Sequence, residues 1–165
     1  MLFRSCSLCQ LSCPLCPRFR GETDPVVGKG RLPAQDFRRF LDNNPEIHHV
    51  ELGNFGEVFL NPHLPEILQI AHQRGVTASI DEGANLNTAS DQALEALVRY
   101  QVEVVRCAID GATQQSYERY RAGGRLKNVL DNVRKINAYK EKYGSTRPRL
   151  IFQFEVGRAS CRERV

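Results

Sequence analysis

The sequence predicts an α/β protein with a parallel sheet, arranged as a partial barrel or an open sheet. Three observations carry that expectation. Apolar stretches of strand length alternate with amphipathic stretches of helical period from residue 33 to residue 156. The connections between them are short, as in parallel α/β folds. The chain has 165 residues, whereas a closed eight-stranded barrel needs about 250. Four or five strands fit, and crossovers between them should be right-handed.

Each element has a local cause. Pro33 opens a helix at its first turn, where a missing N–H costs nothing. Phe37, Phe40 and Leu41 form its apolar stripe, and Asn43-Asn44-Pro45 stops it. His49–Gly53 is a short strand ended by glycine. Pro65 opens a second helix carrying Ile67, Leu68, Ile70 and Ala71, and Gly75 closes it. Val76–Ile80 is the next strand. Thr88 or Ser90 caps a third helix over Ala93, Leu94, Leu97 and Val98. Val102–Ile109 is a strand. Thr113 caps a short helix through Tyr120, and Gly123-Gly124 turns the chain. A long helix follows with Leu126, Val129, Leu130, Val133 and Ile136, ended by Gly144. Arg149–Val156 is the last strand. No glycine-rich P-loop or G-x-G-x-x-G follows any strand, so a nucleotide-binding fold has no positive support.

Composition excludes several classes. The chain is 41% hydrophobic and 25% charged, which rules out a disordered or low-complexity segment. No apolar run approaches 18 residues, so no membrane span is expected, and the start does not read as a signal peptide. The last nine residues, Gly157–Val165, read GRASCRERV. A common sequencing-adapter strand translated in one frame gives the same nonapeptide. Residues 157–165 are therefore expected to be a non-native tail, with natural sequence stopping near Val156. Setting the tail aside turns a net charge of +4 into +2. That charge is too small and dispersed to imply nucleic-acid or membrane binding.

Cys6, Cys9, Cys13 and Cys16 lie within eleven residues, while Cys107 stands alone. Such short loops rarely satisfy disulfide geometry. A local cluster reads instead as a metal or iron–sulfur site in a reducing compartment. The order C-x2-C-x3-C-x2-C-P differs from the bacterial ferredoxin run, and its middle gap is short for wrapping four thiolates around one zinc. Without Cys6 the spacing is Cys9-x3-Cys13-x2-Cys16. Three thiolates can hold three irons of a [4Fe–4S] cubane and leave the fourth open to chemistry. Zinc, or a redox or structural cysteine set, are the competing readings.

Together, CSLCQLSCPLCPR, GNFGEVFLNPHLPEILQIA and CAIDGATQQSYERYRAGGRLKNVLDNVRKI resemble the radical S-adenosylmethionine (SAM) enzymes. They look most like the branch whose members often carry a C-terminal domain with auxiliary clusters (SPASM-type). The resemblance spans roughly residues 5–156 and implies an incomplete parallel (β/α)6 partial barrel. The domain expectation is a truncated radical SAM core over residues 1–156. The resemblance also implies that Cys9, Cys13 and Cys16 ligate a [4Fe–4S] cluster, that Leu15 covers it, and that Cys6 is no ligand. Gly56-Glu57-Val58 stands where relatives carry a Gly-Glu-Pro-like motif, so Gly56 and Glu57 would meet the SAM amino group. Asp110, in Cys107-Ala108-Ile109-Asp110-Gly111, and Arg121, in the Tyr-Arg-Ala-Gly-Gly segment, would complete the cofactor site. Arg121 has a bland alternative in surface pairing with Glu118 or Asp131.

The implied activity is that of the longer parent enzyme, with no residue singled out as a proton-transfer or nucleophilic catalyst. Reductive cleavage of SAM gives a 5′-deoxyadenosyl radical, which abstracts hydrogen from a peptide or small-molecule substrate. The implied electron donor is a flavodoxin or ferredoxin, and the implied location is cytoplasmic. An iron–sulfur electron-transfer or binding module without SAM cleavage is the alternative, and a structural zinc module the remote one.

Overall fold

The computed structural model describes residues 1–23, 25 and 28–154. The expected tail at 157–165, and the last two residues of the strand expected to run to Val156, lie outside these.

Four strands form one all-parallel sheet in chain order: β1 (His49–Glu51), β2 (Thr77–Ala84), β3 (Val104–Ala108) and β4 (Arg149–Gln153). The N-terminal residues run beside β1. Phe3 N donates to Glu51 O, Glu51 N to Met1 O and Ser5 N to Leu52 O, and Leu2 makes a parallel bridge with Glu51. This short edge extends the parallel pairing beyond β1 by a single bridge.

Helices α1 (Ala34–Asn43), α2 (Leu64–Gln73), α3 (Asp91–Arg99), α4 (Gln114–Tyr120) and α5 (Leu126–Tyr143) follow the expected cues. Ser90, not Thr88, caps α3, its side chain accepting from Ala93 N. Thr113 and Ser116 make a reciprocal capping box at the start of α4. Gly144 ends α5 in the left-handed conformation, φ 57°, which glycine adopts without steric cost. α2 packs on α1 and α3, and α5 packs on α3 and α4.

Strand alternation sorts the side chains. Val50, Leu52, Ile80, Val105 and Cys107 join the helices in one buried core with Phe37, Leu64, Ile67, Leu97 and Ile136. His49, Glu51, Ser79 and Asp81 occupy the opposite, polar face. There the Glu51 carboxylate accepts from Ser79 Oγ and from the backbone N–H groups of Gly53 and Asp81.

The strand boundaries differ from expectation. β1 and β3 are shorter than read, and β2 runs on to Ala84. The cause of the extension is an irregularity in its pairing with β3: Ile80 faces Val105 and Ala84 faces Cys107. Four steps along β2 thus match two along β3, with Gly83 at φ 97° inside the bulge. Asp81, Glu82 and Gly83 give no alternating apolar signal, so the sequence reading stopped at Ile80.

Candidate metal and cofactor site

The loop after the N-terminal edge holds the cysteines. Cys16 N donates to Cys13 O (3.0 Å), and Arg20 N to Cys16 O (3.1 Å), closing two successive turns that meet at Cys16. Cys9, Cys13 and Cys16 all line a cavity of about 230 Å³ that also takes in Gly53–Glu57, Glu82, Gly83, Asn85, Arg18 and Arg121. These residues follow β1 and close β2, at the carboxyl ends of the parallel strands, where open α/β folds bind ligands. Cys6 is buried outside this lining, its thiol directed to Leu8 O at 3.7 Å. Cys107 is fully buried in the core, and burial pushes its thiol up to about 12. Leu15 is half-exposed and does not line the cavity.

The loop carrying Gly56 and Glu57 is locked to the cysteine loop. Glu57 N donates to Leu8 O at 2.7 Å. A Cβ on Gly56 would sit 2.0 Å from Cys6 O and 2.8 Å from Cys6 C. Only glycine allows that approach. Glu57 is 2% exposed. Its Oε1 accepts from Phe59 N (3.2 Å), capping the 3-10 turn Val58–Leu60, and its Oε2 accepts from Asn85 N (2.8 Å). Burial raises its carboxyl to about 7, against the pull of those two N–H groups and of Arg121. A cation bound beside it would favour the ionised form.

Asp110 is buried at the end of β3 and pairs with Arg121 Nε. Asp110 does not itself line the cavity; Arg121 does, and it reaches toward Cys13. The surface pairs weighed for Arg121 do not form: Asp131 takes Lys127 and Arg134, and Glu118 takes Gln114. Gly111 permits a second close approach, since a Cβ there would lie 2.1 Å from Tyr117 N. The structure thus brings Cys9, Cys13, Cys16, Gly56, Glu57 and Arg121 to one cavity, with Asp110 behind Arg121.

Among the lining residues that escaped the sequence reading, Asn85 and Arg18 bond to the site's own groups. Asn85 holds the Glu57 carboxylate through its backbone, while its Nδ2 lies 3.8 Å from Cys9 Sγ and its Oδ1 accepts from Gln10 Nε2. Arg18 donates to Cys9 O and Leu11 O. Asn85 gave no signal beyond its place in a polar loop. Arg18 lay inside the quoted cysteine motif.

The donor set fits an iron–sulfur cluster with one open iron. Three thiols, not four, border the cavity, and Cys9 Sγ accepts from Leu11 N at 3.5 Å. Burial pushes the Cys9 thiol up to about 11 and raises Cys13, so metal binding would displace protons. Among the described residues no group of three or more His, Cys, Asp or Glu side chains is drawn around a single-ion position. The three cysteines, implied as ligands of one cluster, thus share a cavity without their sulfurs being drawn together around one point. A cubane spreads its ligands over several ångströms, unlike one zinc with bonds of about 2.3 Å.

No family model and no curated relative matches the sequence. Solved structures do. The chain is similar to SuiB of Streptococcus suis bound to S-adenosylmethionine, with 14% identity over 84% of this chain and 29% of that one, at TM-score 0.65. Methylornithine synthase (PylB) matches at 14% identity over 84% of this chain and 41% of its own, TM-score 0.60. BtrN in complex with AdoMet and 2-DOIA matches at 15% identity over 93% of this chain and 55% of its own, TM-score 0.58. The chain spans under a third of SuiB and about half of BtrN. At such identities the likeness establishes the fold alone, and this chain shares the parallel α/β fold of these structures over most of its length.

Proposed function

We propose that residues 1–156 are part of the core of a radical SAM enzyme. In this reading Cys9, Cys13 and Cys16 hold a [4Fe–4S] cluster, and Gly56, Glu57, Asp110 and Arg121 serve SAM. The observation that carries it is the meeting of the three cysteines and the Gly56–Glu57 loop in one cavity at the carboxyl ends of the strands. Two of the similar structures hold S-adenosylmethionine, SuiB and BtrN, which supports the cofactor assignment. Bound there, the cluster and SAM would supply reductive cleavage to methionine and a 5′-deoxyadenosyl radical that abstracts hydrogen from substrate.

The chain's own groups prepare the site. Glu57 offers a buried carboxylate to the SAM ammonium, held in place by Asn85 N and Phe59 N. Asp110 fixes Arg121 by an ion pair, so that the guanidinium stays beside Cys13 and toward the SAM carboxylate. Gly56 gives the cofactor backbone to approach. The substrate is a peptide or a small molecule: SuiB is also known bound to the precursor peptide SuiA, and BtrN binds the small molecule 2-DOIA. A flavodoxin or ferredoxin supplies the electron, in the cytoplasm. Among the described residues no helix is long and apolar enough to cross a membrane.

Anaerobic reconstitution tests the reading. About four irons per chain are expected, lost on replacing Cys9, Cys13 or Cys16 by Ala and kept in Cys6→Ala. With dithionite and SAM, the parent enzyme should release 5′-deoxyadenosine. One equivalent of zinc with no iron retained would sink the assignment. A loaded cluster that cleaves no SAM would leave the electron-transfer alternative.

A further inference from the structure

We propose that Arg18 positions the cysteine loop and raises the reduction potential of the cluster bound there, by holding an uncompensated positive charge against it. The inference rests on reading the cavity as an iron–sulfur site.

The turn that begins at Cys13 folds the chain back over the start of the loop. Arg18 Nη2 then donates to Cys9 O at 3.3 Å and Leu11 O at 3.4 Å. One guanidinium thereby ties the limb carrying Cys9 to the limb carrying Cys16. Both acceptors are neutral carbonyls, so neither cancels the charge. Arg18 Nε is buried with no hydrogen-bond partner, although a buried donor ordinarily has one. The cavity's other arginine, Arg121, is matched by Asp110. The acids of the lining are engaged or distant in role: Glu57 accepts from backbone N–H groups, and Glu82 is exposed. Among the described residues no carboxylate pairs with Arg18. The site therefore presents one fixed cation beside three thiolate ligands.

The electrostatic consequence follows. Reduction transfers one electron from a low-potential one-electron reductant to the cluster, which gains one negative charge while no bond forms or breaks. A fixed cation nearby favours the more negative state. Net charge and hydrogen bonding at the sulfurs are the levers that set such potentials. Lysine would keep the charge but lacks the rigid planar guanidinium that aims the two N–H bonds of Nη2 at both carbonyls.

The test is a potentiometric titration followed by electron paramagnetic resonance, with dithionite as reductant and no SAM or substrate. It compares the anaerobically reconstituted wild type, Arg18→Gln and Arg18→Lys. Arg18→Gln should shift the midpoint to more negative potential. Arg18→Lys should stay nearer the wild-type midpoint while retaining less iron, because the tie between the limbs is lost. A fully loaded Arg18→Gln with the wild-type midpoint overturns the inference. If that variant retains no cluster, Arg18→Met, neutral and with a similar apolar stem, decides: a midpoint more negative than wild type supports the charge role, and the wild-type midpoint or loss of the cluster in this variant too, with Arg18→Lys also shifted strongly negative, overturns it. A wild type that takes up no iron overturns the proposed function and this inference together, whereas an unmoved midpoint in loaded variants overturns this inference alone.

Discussion

Glu57→Gln should change how the stability of the cluster-free protein depends on pH. The Glu57 carboxyl rises from 4.5 to about 7 in the folded chain, chiefly because it is buried. Below pH 4.5 both folded and unfolded chains carry it protonated, and it costs nothing. Between pH 4.5 and 7 the unfolded chain releases the proton while the folded chain keeps it, so stability falls as pH rises. Above about pH 7 both are ionised and the full penalty applies. A shift of two to three pH units corresponds to about 3 kcal/mol, most of it incurred between pH 5 and pH 8. Glutamine removes this dependence. It also has one acceptor oxygen where Glu57 has two, so either Phe59 N or Asn85 N loses its partner at about 1–3 kcal/mol. That cost is the same at both pH values. The assay is urea denaturation of wild type and variant without iron, under anaerobic conditions, at pH 5 and pH 8. The variant's stability relative to wild type should improve by about 2–3 kcal/mol from pH 5 to pH 8. Titrating groups remote from Glu57 cancel in the comparison, and Cys9 and Cys107, which feel its charge, stay protonated in the folded chain through pH 8, at about 11 and about 12. A difference that does not change with pH would refute the account of a carboxylate whose burial outweighs its hydrogen bonds.

Two further substitutions probe the frame of the site. Gly56→Ala places a Cβ 2.0 Å from Cys6 O, an atom of fixed backbone, so the two loops must separate; a loss of about 2 kcal/mol or more in urea denaturation is expected together with reduced iron uptake. Asp110→Ala strips the partner from Arg121, whose side chain is only 19% exposed. It should cost about 3 kcal/mol by the same measurement, and a cost near zero would show that the pair is dispensable to the fold.

Much of this architecture is written locally. The stop at Asn43-Asn44-Pro45, the Thr113 cap, the left-handed Gly144 and the apolar stripes of α2, α3 and α5 depend on residues within a few positions of one another, and those signals were legible. So was the cysteine spacing, because ligands to one cluster must come from a short stretch that folds around it. Other features depend on chain segments far apart in sequence. The bulge that extends β2 exists only because β3 pairs with it in a shifted register, and it brings Gly83 and Asn85 to the cavity. The sequence showed Gly56 as a turn glycine or a point of close backbone approach. That the backbone meeting it is that of Cys6, leaving no room for a Cβ, is visible only once the two loops meet. The partner of Arg121 was open between Glu118 and Asp131, on the helices before and after it, and a site beyond them. Burial of Asp110 decided the matter: a carboxylate removed from water needs a cation, hydrogen-bond donors or a proton, and folding brings Arg121 to this one. Glu57 likewise reads as an ordinary loop acid until folding surrounds it, and that desolvation is a property of the tertiary structure alone.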